Sequence, residues 1–401
     1  METRTIELAA VIKDIAAGPF GSNLKVSCFV EEGFPIIDGA NLKGIKVTDN
    51  VTKFVTEEKA RSLHRSIASR GDVVVTISGN VGQISYIPND SRYAEYLVSQ
   101  RQFRVTFDTD QVYVPYLVYY FHTYEGQNKI LAFANQTGVP ALAQPLKNFK
   151  KIKIDMPSLS EQKRIACICE AITEKIETNN HINDNLQQQA ATVFHQWFVA
   201  NPESEKWPSV TLDSLTSLVS RGIAPKYTDD SVQIVLNQKC IRDHYIDVSL
   251  AKRHNPKVIN EKWLQYGDLL INSTGEGTLG RAAQVWFVPD NMTVDSHVTI
   301  VRPNGPHLLF YIGLWGISHE REIEALHTGS TGQTELPRER VKAMELRLPD
   351  NDTLARFNAV IAPIVSLIIT NQQENVRLAS IRDALLPKLM SGEIDVTDIQ
   401  L

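Results

Sequence analysis

Residues 178–185 read TNNHINDN, a mostly polar run in the middle of a stretch whose apolar pattern predicts one long helix. On both sides of this run an apolar residue recurs at every seventh position, and an asparagine continues the series through it. The series is Ile165, Ile172, Asn179, Leu186 and Val193. A strict seven-residue repeat is the signature of a coiled-coil seam, whereas a helix lying on a globular core drifts with the 3.6-residue period. We therefore predict that the run stays helical, with Asn179 in the seam and its other polar residues in water.

The same design returns near the C-terminus of the sequence. The second series is Phe357, Ile364, Asn371, Leu378 and Leu385. A helix over residues 160–198 would be about 58 Å long at 1.5 Å per residue, and so long a helix needs a partner. The two stripes are therefore predicted to pack against each other as an antiparallel coiled coil. Pro363 lies in the first turns of the second helix and predicts a late start or a kink there.

The two asparagines are predicted to set the alignment of this helix pair. Asn179 and Asn371 each hold the central position of five, so an antiparallel pairing brings them to about the same level, where their amides can bond each other. An unpaired buried amide costs roughly 1–3 kcal/mol, so a shifted register is penalised. The alternative is that both asparagines face solvent and take no part in the pairing.

An internal repeat extends beyond the helices. In each half, a Gly-Asp turn leads into an apolar strand and a glycine-containing loop, a β-branched strand follows, and a last strand ends in proline. The matching segments are residues 69–87 with 265–285, 97–105 with 294–302, and 137–157 with 329–349. Matched order, spacing and helix register together indicate a duplication.

These patterns predict a mixed α/β (α+β) fold in which two pseudo-repeated domains are separated by two long antiparallel coiled-coil helices. The predicted parts are residues 1–157 and 200–349 for the globular domains, 158–199 for the first spacer helix, and 350–401 for the second helix and tail. Two globular domains held apart by a stiff rod, with a pseudo-twofold axis, suit a DNA target made of two separated half-sites.

Composition limits the class of protein. The chain has 401 residues, 43% of them hydrophobic and 22% charged, as expected for a soluble globular protein of more than one domain. We expect a cytoplasmic protein with no membrane partner, because no apolar run approaches the eighteen or so residues of a membrane span and acids occupy the N-terminal segment. The four cysteines lack CxxC spacing, so buried free thiols are expected. The net charge of −5 argues against a generally basic surface.

Several motifs resemble the specificity subunit of type I restriction-modification enzymes. They are the loop GPFGSNL at residues 18–24, MPSLSEQKRIACICEAITEKIETNN at residues 156–180, SIRDALLPKLMSGEID at residues 380–395, and the paired Gly-Asp strands. The resemblance covers essentially the whole chain. It implies two target recognition domains, each reading one half of a split sequence in double-stranded DNA, with two helices as the spacer.

The resemblance also implies partners and a non-catalytic role. In that family the subunit docks two methyltransferase subunits and, in the full complex, ATP-driven restriction subunits, which carry the S-adenosylmethionine and ATP sites. No cofactor is therefore expected on this chain. The sequence agrees, since it has no GxxxxGK[ST] phosphate loop. Residues 201–204 (NPES) lack the rest of an amino-methyltransferase signature, residues 275–280 do not fit a dinucleotide fingerprint, and no metal-ligand cluster is evident.

DNA contacts are expected on loops of the two globular domains, because Arg, Asn and Gln read base edges while Lys and backbone amides hold phosphates. The candidates in the first domain are Lys25, Lys43, Lys46, Ser78, Asn80, Arg101, Gln136 and Thr137. Those in the second are Arg221, Lys226, Asn237, Gln238, Lys239, Ser273, Thr274, Arg281, Ser330, Thr331 and Gln333. Each of these residues has an alternative role as a solvated surface residue or a turn cap.

Two other classes of function remain open at this point. The first is a stand-alone α/β enzyme, which the missing catalytic residues disfavour. The second is a coiled-coil scaffold that assembles a DNA-modifying complex without reading sequence. The bases recognised and the length of the gap between half-sites depend on loop detail and do not follow from the fold.

Overall fold

The chain divides into two units, and the division falls inside both long helices. The computed structural model describes residues 3–135, 140–255, 259–329 and 334–396. One unit combines Met1–Ile176 with Val376–Leu401, and the other is Glu177–Asn375. Each unit therefore has a globular part and a portion of each long helix. The domain boundaries given by the sequence patterns stay a prediction.

The elements of the first unit begin with short strands and end in the first long helix. The strands are β1 (Arg4–Glu7), β2 (Ile12–Ala17), β3 (Phe29–Val30), β4 (Phe34–Ile37), β5 (Phe54–Val55), β6 (Ile67–Ser69), β7 (Val73–Thr76), β8 (Ile84–Tyr86), β9 (Glu95–Val98), β10 (Gln102–Phe107) and β11 (Lys153–Met156). The helices are α1 (Glu57–Ser62), α2 (Val114–His122), α3 (Tyr124–Leu131), α4 (Pro145–Lys150) and α5 (Leu159–Phe194), the last of which continues into the second unit.

The second unit contains the end of α5, which a π-helical turn, His195–Val199, follows. Its strands are β12 (Ser209–Thr211), β13 (Thr216–Arg221), β14 (Ile234–Leu236), β15 (Ile241–Arg242), β16 (Tyr245–Ile246), β17 (Lys252–Arg253), β18 (Leu269–Asn272), β19 (Ala282–Gln284), β20 (Met292–Val294), β21 (Val298–Pro303) and β22 (Glu345–Arg347). Its helices are α6 (Leu309–Ser318), α7 (Glu320–Ala325), α8 (Arg338–Lys342) and α9 (Asn351–Ser391), which returns to the first unit.

The two units repeat one sheet topology, which confirms the internal repeat and the mixed α/β class predicted from the sequence. The central sheet has the order β2-β10-β7-β8 in the first unit and β13-β21-β18-β19 in the second. A small sheet pairs β1 with β11 in one and β12 with β22 in the other. A parallel pair, β4 with β9 and β14 with β20, completes the match. Equivalent loops therefore leave equivalent strand ends in both units.

The Gly-Asp turns of the two units have the same backbone conformation and the same type of hydrogen bond. Their glycines have φ of +88° and +91°, a region that favours glycine. The Asp72 carboxylate accepts the Ser69 N–H at 2.9 Å, and Asp268 accepts the Gln265 N–H at 2.8 Å. Burial raises the pKa of both carboxyl groups. Each turn leads into a central strand, β7 or β18, whose residues are all buried, and the strand delivers the loop that follows.

Both long helices bury a heptad seam, as the sequence predicted. In the first unit Ile165 and Cys169 of α5 lie in one apolar cluster with Leu386 and Leu389 of α9. In the second unit the rings of Phe194 and Phe357 are 6.2 Å apart. Since residues late in α5 contact residues early in α9, and the reverse, the helices run antiparallel in each unit. Pro363 does not delay α9, which begins at Asn351.

The asparagines form a buried polar layer, but the predicted direct bond between Asn179 and Asn371 is wrong. Asn371 donates to Asn183 Oδ1 at 2.8 Å, and Asn179 donates to Asn375 Oδ1 at 2.9 Å and to Glu374 at 2.8 Å. The pairing is therefore offset by about one helical turn. The physical reason is that residues of an antiparallel seam interleave, so a member of one stripe faces the other seam position of its partner. Asn183, 2% exposed, thus joins Asn179, 1% exposed, in the seam.

The Asn183–Asn371 pair allows a test of this offset. Asn371→Leu leaves the buried Asn183 carbonyl without its donor and is expected to lower the free energy of unfolding by about 1–3 kcal/mol. The double variant Asn183→Leu/Asn371→Leu should lose less than the sum of the single losses, because it pairs apolar with apolar. Chemical unfolding, monitored by circular dichroism, measures the free energy of unfolding of the single and double variants. The control is Gln373→Leu, at an exposed position of the same helix. Additive losses would show that the two amides are not coupled.

The apolar content of α9 corrects one expectation. This helix contains an 18-residue window with a mean hydropathy of 1.7, so by length and composition alone it meets the requirement for a membrane span. Only 33% of that window is buried, and the buried face includes Phe357, Ile361 and Asn371 of the seam. Part of the apolar surface of α9 is thus left outside the core.

The exposure of the cysteines corrects a second expectation. Cys169 and Cys240 are buried free thiols, whereas Cys167 is exposed and Cys28 is half-buried. The expectation of buried thiols is therefore wrong for the last two. Cys167 lies on the side of α5 away from the seam, because its neighbours Ala166 and Cys169 take the buried positions.

Candidate nucleic-acid interface

Three loops of the first unit converge on a cavity of about 580 Å³, here called the first groove. They are residues 38–40 after β4, residues 78–80 after β7, and residues 99–101 between β9 and β10. All three follow strands of the repeated topology, so the fold positions them directly. The groove brings together Ser78, Asn80 and Arg101, three of the candidates chosen from the sequence.

The floor of the first groove is a chain of hydroxyl and amide groups. Thr76 donates to Gln83 Oε1 at 3.2 Å, Gln102 Nε2 donates to Thr76 at 3.5 Å, and the Ser99 hydroxyl donates to Gln102 Oε1. Since these groups satisfy one another, the exposed side chains above them remain available. The exposed ones are Asn80, Gln100 and Arg101. Such side chains can read base edges.

The wall of the first groove carries an ion pair. Lys53 Nζ lies 2.6 Å from Asp38 Oδ2. Burial by itself would raise the pKa of Asp38, but the hydrogen bonds from Lys53 and from the Ala40 N–H outweigh it and lower the pKa. The carboxylate therefore stays ionised and paired, which limits its repulsion of a phosphate backbone.

The second unit builds the equivalent loop edge with different side chains. Gln238 donates to the backbone and hydroxyl oxygens of Thr274, and Thr274 Oγ1 lies 2.8 Å from His297 Nδ1. Arg221 pairs with Glu335 and donates to the Leu336 carbonyl at 2.9 Å. The first set of bonds joins the loops after β14, β18 and β20 to one another, and Arg221 joins the end of β13 to the segment before α8. The edge corresponds to the first groove in topology but not in chemistry.

The remaining candidates differ in exposure. Lys25, Lys43, Lys226 and Lys239 are exposed, and Asn237 is half-buried and accepts the Lys239 N–H at 2.9 Å. Gln136, Thr137, Ser330, Thr331 and Gln333 lie outside the described residues. The flanks of residues 136–139 lie beside the first groove, because Gly79 N donates to the Pro140 carbonyl at 3.1 Å.

Three candidates have partners that give them a structural role. Lys46 Nζ lies 3.8 Å from Glu174 of α5, so its side chain points to the helix. Ser273 is fully buried and bonds Thr299 at 2.6 Å beneath the glycine loop. Arg281 donates to the Gly277 carbonyl at 2.8 Å and so braces that loop. The DNA contacts of the candidate set stay a prediction, but Ser273 cannot reach a duplex from this position.

Some groups at these edges carry no sequence signal. Gln100 sits in an ordinary turn, His297 follows a strand end, and only the fold brings them to the loop edges. Lys252 was also missed; its Nζ lies 4.9 Å from the centre of the Tyr227 ring, next to the exposed Lys226. Within the described ranges there is no group of three or more His, Cys, Asp or Glu side chains suited to a metal ion.

Comparisons with known proteins agree with this architecture. Residues 27–188 match the sequence model of the family described as type I restriction modification DNA specificity domain. The chain is 25% identical to the MjaIX specificity subunit of a type I restriction enzyme of Methanocaldococcus jannaschii, over 97% of this chain and 93% of that relative. It is 20% identical to the HindI specificity subunit of Haemophilus influenzae, over 61% of this chain and 69% of the relative.

A solved structure shares the fold. The crystal structure of the type I restriction-modification S subunit from M. genitalium superposes with a TM-score of 0.55 at 13% identity, covering 97% of this chain and 96% of that one. The fold of this chain is thus similar to that of a type I specificity subunit. These matches are to type I specificity proteins, so the resemblance stated from the motifs of this chain is confirmed.

Proposed function

We propose that this chain is the DNA-reading, non-catalytic subunit of a type I restriction-modification complex and that each unit reads one half-site. The observation that supports this most directly is the repetition of one loop edge on one topology with unlike side chains. The first groove presents Asn80, Gln100 and Arg101, whereas the second edge presents Thr274 and His297. Two copies of a scaffold with different contact residues suit two different short sequences.

The chemistry of the first groove favours direct readout in the major groove of DNA. Arg pairs with guanine and Asn or Gln with adenine through two hydrogen bonds each, and a good pair contributes about 1–3 kcal/mol of discrimination. We assign the exposed Lys25 and Lys43 in the first unit, and Lys226, Lys239 and Lys252 in the second, to phosphates. This division places exposed lysines on loops and on the short strand β17 of a chain whose net charge is −5.

We further propose that the recognition domains are residues 1–157 and 200–349, with the helices between them as the spacer. The scaffold reading, in which the chain assembles a complex but reads no sequence, is the alternative. A binding selection on random duplexes, performed with the methyltransferase subunit present, separates the two. A chain that recognises DNA sequence should enrich a motif of two short blocks separated by a constant gap. Enrichment of no motif would overturn the proposal in favour of the scaffold.

The partners we propose are two methyltransferase subunits and, in the full complex, restriction subunits, all acting in the cytoplasm. In the second unit, apolar side chains of the helices remain exposed: Ile182 at 38%, Val360 at 42% and Leu367 at 45%. Each of these residues lies four positions before a member of the seam. In an antiparallel pair, the residues at this heptad position of both helices lie along the same side of the seam. This side of the helix pair is our proposed docking surface for a methyltransferase subunit.

Leu367→Asp tests that surface. Burial of a leucine side chain contributes about 1.5–3 kcal/mol, so placing a carboxylate there is expected to weaken binding of the methyltransferase subunit by about tenfold or more. Titration calorimetry on the full-length chain measures this. Val288→Asp is the matched control, since Val288 is 87% exposed and lies in a loop of the same unit. Unchanged affinity of the Leu367 variant, with a normal circular dichroism spectrum, would rule this surface out.

A further inference from the structure

Phe20 is an aromatic side chain that the fold leaves in solvent. It is 82% exposed, whereas the other phenylalanines of the chain are buried or half-buried. It belongs to the loop GPFGSNL, which joins β2 to the segment before β4. Single exposed apolar residues are common, so exposure alone assigns Phe20 no role. A role for Phe20 depends on how its loop is held and on which side chains surround it.

The loop that carries Phe20 is anchored at both ends. The Gly18 N–H donates to the Gln102 carbonyl at 2.8 Å, and a Cβ at Gly18 would lie 1.9 Å from the Ser99 carbonyl oxygen, so no other residue fits there. The Asn23 N–H donates to the Phe20 carbonyl at 2.7 Å and closes a turn. Leu24, 8% exposed, fixes the far side in the core. Phe20 is thus held at the tip of an ordered turn.

The turn lies against the rim of the first groove. A Cβ at Gly21 would lie 2.8 Å from Oε1 of Gln100, so the backbone next to Phe20 packs on the side chain of Gln100. Gln100 lines the groove together with Arg101 and Val26, and Val26 is itself 81% exposed. An exposed aromatic side chain and two side chains that we assign to base reading therefore share one rim.

From this juxtaposition we propose that Phe20 is a wedge that enters the base stack at the border of the first half-site and unstacks one base step. Apolar side chains inserted from the minor groove unstack base steps in proteins that kink a duplex. Phe20 lies beside the side chains that we assign to the major groove, so in our proposal it enters from that side. The inference rests on the proposed function and adds a residue that shapes DNA rather than reading a base edge. A protein partner at this tip is disfavoured because the surrounding side chains, Lys25, Gln100 and Arg101, are polar or charged.

The wedge is expected at one half-site only. Gly222 repeats the close approach of Gly18, since its Cβ would lie 1.9 Å from the Val294 carbonyl oxygen. After that glycine the second unit has a shorter connection, which reaches β14 at Ile234, and no phenylalanine. The exposed side chains there include Lys226, a phosphate contact in our proposal, and Tyr227, which is 49% exposed but whose ring is covered on one face by Lys252, with Nζ 4.9 Å from the ring centre. The two half-sites should therefore differ in DNA distortion.

The test uses the full chain with its methyltransferase subunit and duplexes that carry 2-aminopurine at each step around the selected motif. The wild type should raise fluorescence at one step bordering the first half-site and at none bordering the second. Phe20→Ala should abolish that rise and weaken DNA binding by about tenfold, because stacking on an aromatic side chain contributes about 1–3 kcal/mol per base. A mismatch at the same step, which unstacks it in advance, should restore most of the lost affinity.

Tyr124→Ala is the control, since Tyr124 is 85% exposed in the same unit but does not line the groove. Phe20→Ala with wild-type fluorescence and affinity would overturn the wedge, and so would loss of binding to the methyltransferase subunit, which would make Phe20 a protein contact. The random-duplex selection separates this from the proposed function. A two-block motif with the wild type supports DNA reading whatever Phe20 does.

Discussion

A heptad inserted into both long helices is expected to lengthen the gap between the two half-sites by about one to three base pairs and to leave the half-sites themselves unchanged. Seven residues add about 10 Å to a helix, which is the length of about three base pairs. Each base pair also turns the duplex by about 35°, whereas a heptad turns the helix pair by only about 20°. The length that the heptads add therefore favours three extra base pairs in the gap, whereas the rotation that they add favours fewer.

The observed register decides where the insertions go. Asn179 pairs with Asn375 and Asn183 with Asn371, so the bond between Glu177 and Thr178 is level with the bond between Val376 and Arg377. Matched heptads at these two points keep every seam residue facing a seam residue. They also fall where the chain passes from one unit to the other, so each globular core is left intact.

The gap is read from the random-duplex selection, repeated with the lengthened chain. A heptad inserted into α5 alone is the control, because it displaces the buried amides from their partners and should destabilise the helix pair rather than lengthen it. If the matched insertion leaves the gap at its original length in a folded chain, the helices are not the spacer.

The second large effect is expected from exchange of a recognition domain. Replacing residues 1–157 with the equivalent domain of a relative should change one half-site and keep the other, and replacing residues 200–349 should do the converse. The reason is that the first groove is built only from loops of the first unit, and the second edge only from loops of the second. Both exchanges leave α5 and α9 in place, so the gap should stay constant.

The size of this effect follows from the mismatch energy. Each wrong base pair in a site costs about 1–3 kcal/mol, so a changed half-site of three pairs should lower affinity for the original sequence by a hundredfold or more. Competition binding against the original and newly selected duplexes measures it, and the reciprocal exchange is the control. Alteration of both half-sites by a single exchange would mean that the two domains form one composite reader.

Much of the architecture could be predicted from the sequence because it depends on local periodicity. The heptad series predicted two helices, and α5 and α9 cover them. The Gly-Asp turns and apolar strands predicted the duplication, since a turn that needs glycine and a fully buried strand leave a mark in consecutive residues. The resemblance to specificity subunits was also visible in motifs spread along the whole chain.

The amide layer shows where local pattern ends. The sequence placed Asn179 and Asn371 at matching positions, yet Asn179 bonds Asn375 and Asn371 bonds Asn183. Periodicity states which face of a helix is buried, but the axial alignment of two helices depends on how their side chains interleave. That alignment is a property of the pair.

The same limit applies to the candidate interface. Residue type and loop position selected Asn80 and Arg101, which the fold does bring to one groove, but they also selected Ser273, which the fold buries. Gln100 carried no signal, because nothing in its own segment shows that β4, β7 and β9 end at one edge. Sequence alone determined the repeated units, the long helices and the resemblance to specificity subunits. Only the tertiary structure decided which side chains are exposed at the loop edges, because exposure depends on what distant segments cover.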